Sequence, residues 1–315
     1  MSQKTIAVAG ATGAQGGGLV RAILSDPQKT YRVRALTRDA NSDKAKELAK
    51  LGAEVVSANV DDLDSLKRAF DGCYGAFCVT FFWDHFSPQR ETQQATNLAK
   101  AAAAAGVEHA IWSTLEDTRQ YYPLSDTTRM PTLMGNYKVP HLDSKGEADH
   151  VFTDLGVPTT FLLTSFYWEN FIYFGMGPKP GLDGKLKLSL PMANAKLAGI
   201  AAVDIGRCSF GIFQRGNEFQ NKRVGVVGEW LTGHEMASRF AEALGQPVTY
   251  QPIPFEVYRN LGFPGADDLG NMFQVKMEFE SQYCGNRPLD LARSLNPELQ
   301  TFESWLEAHK RQIAV

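Results

Sequence analysis

Apolar positions recur with two different periods along the first half of the chain. Thr5-Ile6-Ala7-Val8-Ala9 reads as a continuous apolar run, the mark of a strand buried on both faces. Leu19, Val20, Ile23 and Leu24 then repeat at helical spacing. The alternation continues: a strand over Tyr31–Leu36, a helix through Ala45, Leu48 and Ala49 closed by Gly52, and a strand over Glu54–Ala58. A helix through Leu63, Leu66, Ala69 and Phe70 closes at Gly72, and a strand follows over Ala76–Thr80. Next come an alanine-rich helix over Thr92–Ala105 ended by Gly106, and a strand over Ala110–Ser113. A helix over Pro140–Leu155, with proline in its first turn and Gly156 after its end, leads to a strand over Pro158–Leu163. Regular strand–helix alternation implies right-handed crossovers and a mainly parallel sheet.

The pattern loosens after Thr164. Residues 166–190 are aromatic and rich in Gly and Pro, with a short strand over Lys185–Leu190. Asp204 is expected to cap a helix through Phe213. Strands are predicted over Arg223–Val227 and Thr249–Gln251, and helices over Thr232–Leu244 (closed by Gly245), Phe255–Leu261 and Phe302–Lys310.

Length and charge narrow the possibilities. A chain of 315 residues holds a large core and about two domains. Hydrophobic residues make up 43% and charged residues 21%, which excludes a disordered chain. The net charge of −3 argues against a nucleic-acid surface, which needs a basic field, but permits one local anion site. The apolar stretch Ala76–Trp83 is far below the ~20 residues of a membrane span, and Thr5–Ala9 is too short for a signal-peptide core. Cys73, Cys78, Cys208 and Cys284 show no metal-ligand spacing and read as buried free thiols of a reducing compartment. His109, His150, His234 and His309 show none either, so no metal is expected. The expected location is the cytoplasm.

The sharpest local signal is Gly10-Ala11-Thr12-Gly13-Ala14-Gln15-Gly16, between the first strand and the first helix. Glycine permits a tight turn and close approach of backbone to ligand. The helix behind it aims free N–H groups and a positive dipole end at the turn, which suits a pyrophosphate. The position inside a strand–turn–helix unit separates this from a plain connecting turn. A Rossmann-type doubly wound sheet over residues 1–165 is therefore expected. A smaller C-terminal α/β lobe over 166–315 follows, with some of its elements returning to the main sheet.

The second strand ends Leu36-Thr37-Arg38, where a site for NAD usually carries an acid. Arginine can stack on adenine and fork onto a 2′-phosphate, so NADP(H) is the expected cofactor. Lys44 adds nearby charge, and Asp39 is a counter-signal. Asn59, Val60, Asp61 and Asp62 follow the third strand at the adenine edge; the two aspartates fit a helix cap equally well. Thr80-Phe81-Phe82-Trp83 follows the fourth strand, beside the ribose and nicotinamide.

Short-chain dehydrogenases pair a Ser with Tyr-x-x-x-Lys. Ser113 follows the fifth strand and Lys145 lies in the expected helix, but the tyrosine position holds His141. His141 and Lys145 share a helix face at i, i+4. Tyr137 lies eight residues before Lys145, outside the helix.

With Gly10–Gly17, Thr37-Arg38 and His141-x-x-x-Lys145-Gly146 in place, the chain resembles the NmrA-like family, atypical short-chain dehydrogenase/reductases. Tyr167-Trp168-Glu169-Asn170, Leu261-Gly262-Phe263-Pro264-Gly265-Ala266 and Ser304-Trp305-Leu306-Glu307 extend the match over nearly the whole chain. The resemblance implies NADP(H) binding in preference to NAD(H). It implies a cofactor lined by the glycine loop, Arg38, Thr80–Trp83, Lys145 and Tyr167, Trp168, Glu169 and Asn170. It also implies one of two roles: reductase of aromatic or quinone-like compounds, or redox sensor acting through partner proteins.

Two aromatic clusters bear on the substrate. Phe81, Phe82, Trp83, His85 and Phe86 follow the fourth strand; Phe166, Tyr167, Trp168, Phe171, Tyr173 and Phe174 follow the sixth. They suit core packing or a flat apolar substrate at one cleft. The expected activity is NADPH-dependent reduction of a flat aromatic, quinone-like or imine-like molecule. Lys145, His141 and Ser113 are the candidate catalytic groups, and a water is a further proton source. The alternative is a catalytically weak NADP(H)-sensing regulator with a protein partner. A monomer or a homodimer fits either role.

Overall fold

The computed structural model describes residues 3–314. Seven parallel strands form the central sheet: β1 (Lys4–Val8), β2 (Tyr31–Thr37), β3 (Glu54–Ser57), β4 (Gly75–Cys78), β5 (His109–Thr114), β6 (Thr159–Leu163) and, from the second half of the chain, Arg223–Gly225. That last strand pairs with β6, Val224 opposite Leu162. The order places β1 between β2 and β4, with Val8 opposite both Ala35 and Phe77. The direction of winding reverses at β1, and ligands of such sheets bind at the carboxyl ends beside this switch point.

Helices α1 (Ala14–Leu24), α2 (Asp43–Lys50), α3 (Leu63–Phe70), α4 (Pro88–Ala104), α5 (Pro140–Glu147) and α6 (Asp149–Asp154) connect the first six strands. Successive side chains of a strand face opposite ways. Ile6 and Val8 pack with Leu19, Val20 and Ile23 on one face, while Ala7 and Ala9 face Leu66, Phe70 and Leu98 on the other. The buried alanines of α4 (Ala95, Ala99, Ala101 and Ala102) let it lie close to the small residues of that face.

The remaining elements are β7 (Phe166–Tyr167), α7 (Asn170–Tyr173), β8 (Lys179–Pro180), β9 (Leu186–Leu188), β10 (Leu197–Ile200), α8 (Ala202–Arg215), β11 (the returning Arg223–Gly225), β12 (Glu229–Leu231), α9 (Gly233–Leu244), β13 (Val248–Tyr250), α10 (Phe255–Arg259), α11 (Ala266–Glu278), α12 (Glu280–Gly285), α13 (Leu289–Leu295) and α14 (Phe302–His309). Two three-stranded sheets, β12-β10-β7 and β13-β9-β8, belong here. A separate aromatic core gathers Phe166, Trp168, Phe171, Phe240, Phe273, Phe302 and Trp305. Helix α8 instead joins the main core through Ile205, Ile212 and Phe213 and crosses α1 backbone to backbone. A Cβ on Gly206 would lie 2.1 Å from the Leu19 nitrogen, and one on Gly18 would lie 2.6 Å from the Val203 carbonyl. Among the described residues no helix is long and apolar enough to cross a membrane.

Three expectations change. The helix over Pro140–Leu155 is two helices: the Ala148 N–H is shared between the Ser144 and Lys145 carbonyls, so the chain tightens there into a 3-10 turn. Asp204 does not cap its helix. Ala201 is the capping residue, and the Glu169 carboxylate accepts the first N–H, from Ala202, at 2.9 Å. Buried Asp204 sits one turn in and accepts from Asn296, Gln300 and Arg207. Helix α11 is new, and so are α12, α13 and the short strands β7, β8, β10 and β12.

Candidate functional site

The turn after β1 is drawn tight by its own backbone. Gly10 adopts φ +61°, where a side chain is strained, and its carbonyl accepts the Gly13 N–H at 2.9 Å. A Cβ on Gly16 would stand 2.4 Å from the Gly10 oxygen, so only glycine lets α1 start this close to the turn. The capping position, Gly13, offers no side-chain acceptor, and the first turn has no acid. The N–H groups of Ala14, Gln15 and Gly16 find no acceptor among the described residues. Three free donors at a positive helix end, with Gly13 and Ala14 exposed, form a cradle for an anion.

Gln15 ties this cradle to two other strand ends. Its carboxamide oxygen accepts from the Ser113 hydroxyl at 2.8 Å, and its nitrogen donates to the Tyr167 hydroxyl. Ser113 is thus engaged by the glycine turn and not by His141 or Lys145. Burial pushes the Tyr167 phenol up to about 12, against the pull of Thr164 and Gln15.

Arg38 extends from the end of β2 and pairs with Asp84 at 3.0 Å, with side-chain exposures of 72% and 49%. Thr37 bonds weakly to the Asp39 backbone, and the Asp39 carboxylate turns into its own loop to accept the Asn41 N–H at 2.8 Å. Lys44 is exposed on α2. After β3, Asn59 accepts the Asp61 N–H and the Val60 carbonyl accepts from Asn97. Asp62 caps α3 through the Asp64 and Ser65 N–H groups, whereas Asp61 is held by Arg90 and Gln94.

The end of β4 meets α5 over a buried charge. Glu91, wholly enclosed on α4, accepts from the Thr80 hydroxyl at 2.6 Å and pairs with the Lys145 ammonium at 2.6 Å. Burial alone would raise the Glu91 carboxyl; Lys145, His85 and Thr80 more than offset that and hold it at about 2. His85 approaches the other carboxylate oxygen at 3.2 Å. Lys145 also donates to the Thr80 carbonyl and lies 5.2 Å over the Trp112 ring. Its side chain is 12% exposed, so its charge is fixed in place yet reachable.

His141, one turn before Lys145, faces a different partner. Both its backbone N–H and its Nδ1 bond to the Asp268 carboxylate of α11, at 3.1 and 2.7 Å. Its ring packs 4.7 Å from Trp83 and 6.2 Å from Phe82. Tyr137 lies outside α5 beneath Arg119, as its spacing suggests.

The aromatic segments divide between cleft and core. Phe82 is buried among Trp83, His85 and Phe86, while Phe81 is exposed. Trp168 is 1% exposed and packs on Phe302 and Trp305, with Gly199 and Gly228 against its indole. Glu169 is occupied by Ala202 and the Trp305 indole N–H. The structure therefore does not bring Trp168 and Glu169 to the cleft; they lock β7 to α8 and α14. Asn170 opens α7 half-buried, and Tyr173 and Phe174 are exposed.

Sequence reasoning missed Glu91 and Asp268. Glu91 had a signal: Ser87-Pro88 followed by Glu91 reads as a cap, a first-turn proline and a fourth-position acid, which starts α4 four residues before Thr92. Asp268 had none, because its helix shows no apolar stripe.

Fold and strand order define a Rossmann-like α/β protein. The NmrA-like family model matches residues 2–306, and the chain belongs to that family. One relative is the NmrA-like family domain-containing oxidoreductase ptmS of Penicillium ochrochloron, 26% identical over 338 aligned positions, 96% of this chain and 97% of its own. Among solved structures, the negative transcriptional regulator NmrA in complex with NADP superposes with a TM-score of 0.78 at 23% identity, covering 98% of this chain and 95% of the other. The Citrobacter sp. triphenylmethane reductase complexed with NADP(H) gives 0.74 at 20% identity, covering 98% and 99%.

Proposed function

We propose that this chain binds NADP(H) across the carboxyl ends of β1, β2 and β4 and reduces a flat aromatic, quinone-like or imine-like molecule. The observation that carries the reading is the cradle of three unpaired N–H groups behind Gly10 and Gly13, with Arg38 at the adjoining strand end. Relatives named as oxidoreductases and neighbours solved with NADP support it. The cradle would take the pyrophosphate, Arg38 the 2′-phosphate, and Asn59 and Val60 the adenine edge. Bound NADPH would supply the hydride. Lys145, fixed by Glu91 and Thr80, would hold the ribose or deliver the proton, and His141, oriented by Asp268, is the second proton source. Phe81, Phe82 and Trp83 would wall the substrate and exclude water.

One observation favours a second reading. The tyrosine position four residues before Lys145 is a histidine turned to Asp268, and Ser113 is committed to Gln15, so among the described residues Ser113 does not pair with a tyrosine of that helix. An NADP(H)-responsive regulator acting through a partner protein fits that arrangement. Titration with NADPH and NADH by calorimetry, then a panel of quinones, enones, imines and triarylmethane dyes on the same sample, separates the readings. Tight NADPH binding with turnover of a panel member is expected; binding with no turnover, and an NADPH-dependent change in assembly or partner capture, would favour the regulator. No dinucleotide binding would sink both.

A further inference from the structure

The guanidinium assigned to the 2′-phosphate already holds a carboxylate. Asp84 reaches Arg38 from the 3-10 turn Phe82–Asp84, linking the segment after β4 to the end of β2. The sequence neighbour Asp39 does not compete, since its carboxylate closes the Asn41 turn. The pair is largely exposed, and such pairs are weak enough for a phosphate dianion to displace.

Asp84 is also anchored on both sides. Trp83 packs on His141 and against Gly265, whose Cβ position would fall 2.7 Å from the indole. His85 rests 3.2 Å from the Glu91 carboxylate that holds Lys145. Phe86 closes the segment at φ +51°, a backbone state unfavourable for a side chain of its size. These contacts hold the backbone of Asp84 beside Arg38, so its half-exposed carboxylate is a standing competitor for the guanidinium.

We infer that Asp84 is a specificity-setting residue: it occupies Arg38 in the free chain and holds down the preference for NADP(H) over NAD(H). A dinucleotide lacking the 2′-phosphate has no need to break the pair; one carrying it must. The inference rests on the NADP(H) reading above. The test is calorimetric titration of the full chain with NADP+ and NAD+, for the wild type, Asp84→Asn and Asp84→Glu. Asp84→Asn should tighten NADP+ about two- to fivefold, as loss of a competing exposed pair implies, and leave NAD+ unchanged. The gain should shrink as salt rises and vanish in an Arg38→Leu background. Asp84→Glu should keep the wild-type ratio. Equal tightening of both dinucleotides, an unchanged NADP+ affinity, or a gain that persists without Arg38 overturns the role of Asp84 while leaving the cofactor reading intact. A wild-type chain that binds neither dinucleotide overturns both.

Discussion

Replacing Glu91 by glutamine removes one charge from a place where no water can compensate. The carboxylate is enclosed and held at about 2 instead of its ordinary 4.5 by Lys145, His85 and Thr80. At about 1.4 kcal/mol per decade, that difference stabilises the folded chain by roughly 3 kcal/mol at neutral pH. Removal of one partner from a buried pair costs about the same, because the other charge is left unmatched. The sign follows from a depressed carboxyl. The stabilisation is complete above the unfolded value of 4.5 and is lost as pH falls towards 2. Urea denaturation of wild type and Glu91→Gln from pH 7 to pH 3 should give a gap of about 3 kcal/mol at the upper end, shrinking to less than half at the lower. A gap that ignores pH, or one below ~1 kcal/mol at pH 7, would show that Glu91 is not the counter-ion of Lys145 and refute the reasoning.

Four further outcomes are expected. Arg38→Asp should weaken NADPH by about 2 kcal/mol with little change for NADH, checked by calorimetry. Gly16→Ala should abolish dinucleotide binding and lower the melting temperature, because its methyl would meet the Gly10 carbonyl. Lys145→Met should cut the reduction rate by roughly 100-fold or more while NADPH binding persists, and Lys145→Arg should recover part of the rate. Lys276 is buried, and burial brings its ammonium down to about 7 from 10.5. The unfolded chain binds the extra proton between those values, so this group destabilises most below pH 7 and less as pH rises towards 10. Lys276→Met should therefore raise the melting temperature at pH 6 and have little effect at pH 10.

The sheet and its turn were legible because their causes are local. Two-faced burial makes Thr5–Ala9 apolar throughout, and crowding at Gly10 and Gly16 leaves only glycine. The i, i+4 spacing likewise put His141 and Lys145 on one helix turn. Their partners were not legible, because Asp268 lies 127 positions from His141 and no local pattern ties them. Helix α11 escaped for a related reason. Asp268, Asn271, Gln274 and Lys276 are buried along with Met272, Phe273 and Val275, so polar and apolar positions do not separate into two faces. Those polar groups are tolerated because each meets a specific acceptor, donor or ring, as Asn271 does at the Lys138 carbonyl and Lys276 does over Tyr283. Trp168 and Glu169 illustrate the opposite error. The family resemblance implies that they line the cofactor, but Trp168 packs on Phe302 and Trp305, and Glu169 holds the Ala202 N–H and the Trp305 indole.

The crossing of α1 with α8 has a practical consequence for anyone who would cut this chain. The helix that carries the glycine turn leans on Val203 and Gly206, nearly two hundred residues downstream, with backbone against backbone. A fragment ending near residue 165 keeps every strand from β1 to β6 yet loses the surface that sets the tilt of α1. Such a fragment would uncover the face of α1 at Gly18 and the part of the core that Ile205, Ile212 and Phe213 complete, and should collapse or aggregate. The phosphate cradle is thus a joint product of both ends of the chain, and grafting or minimising it calls for residues 202–215 as well.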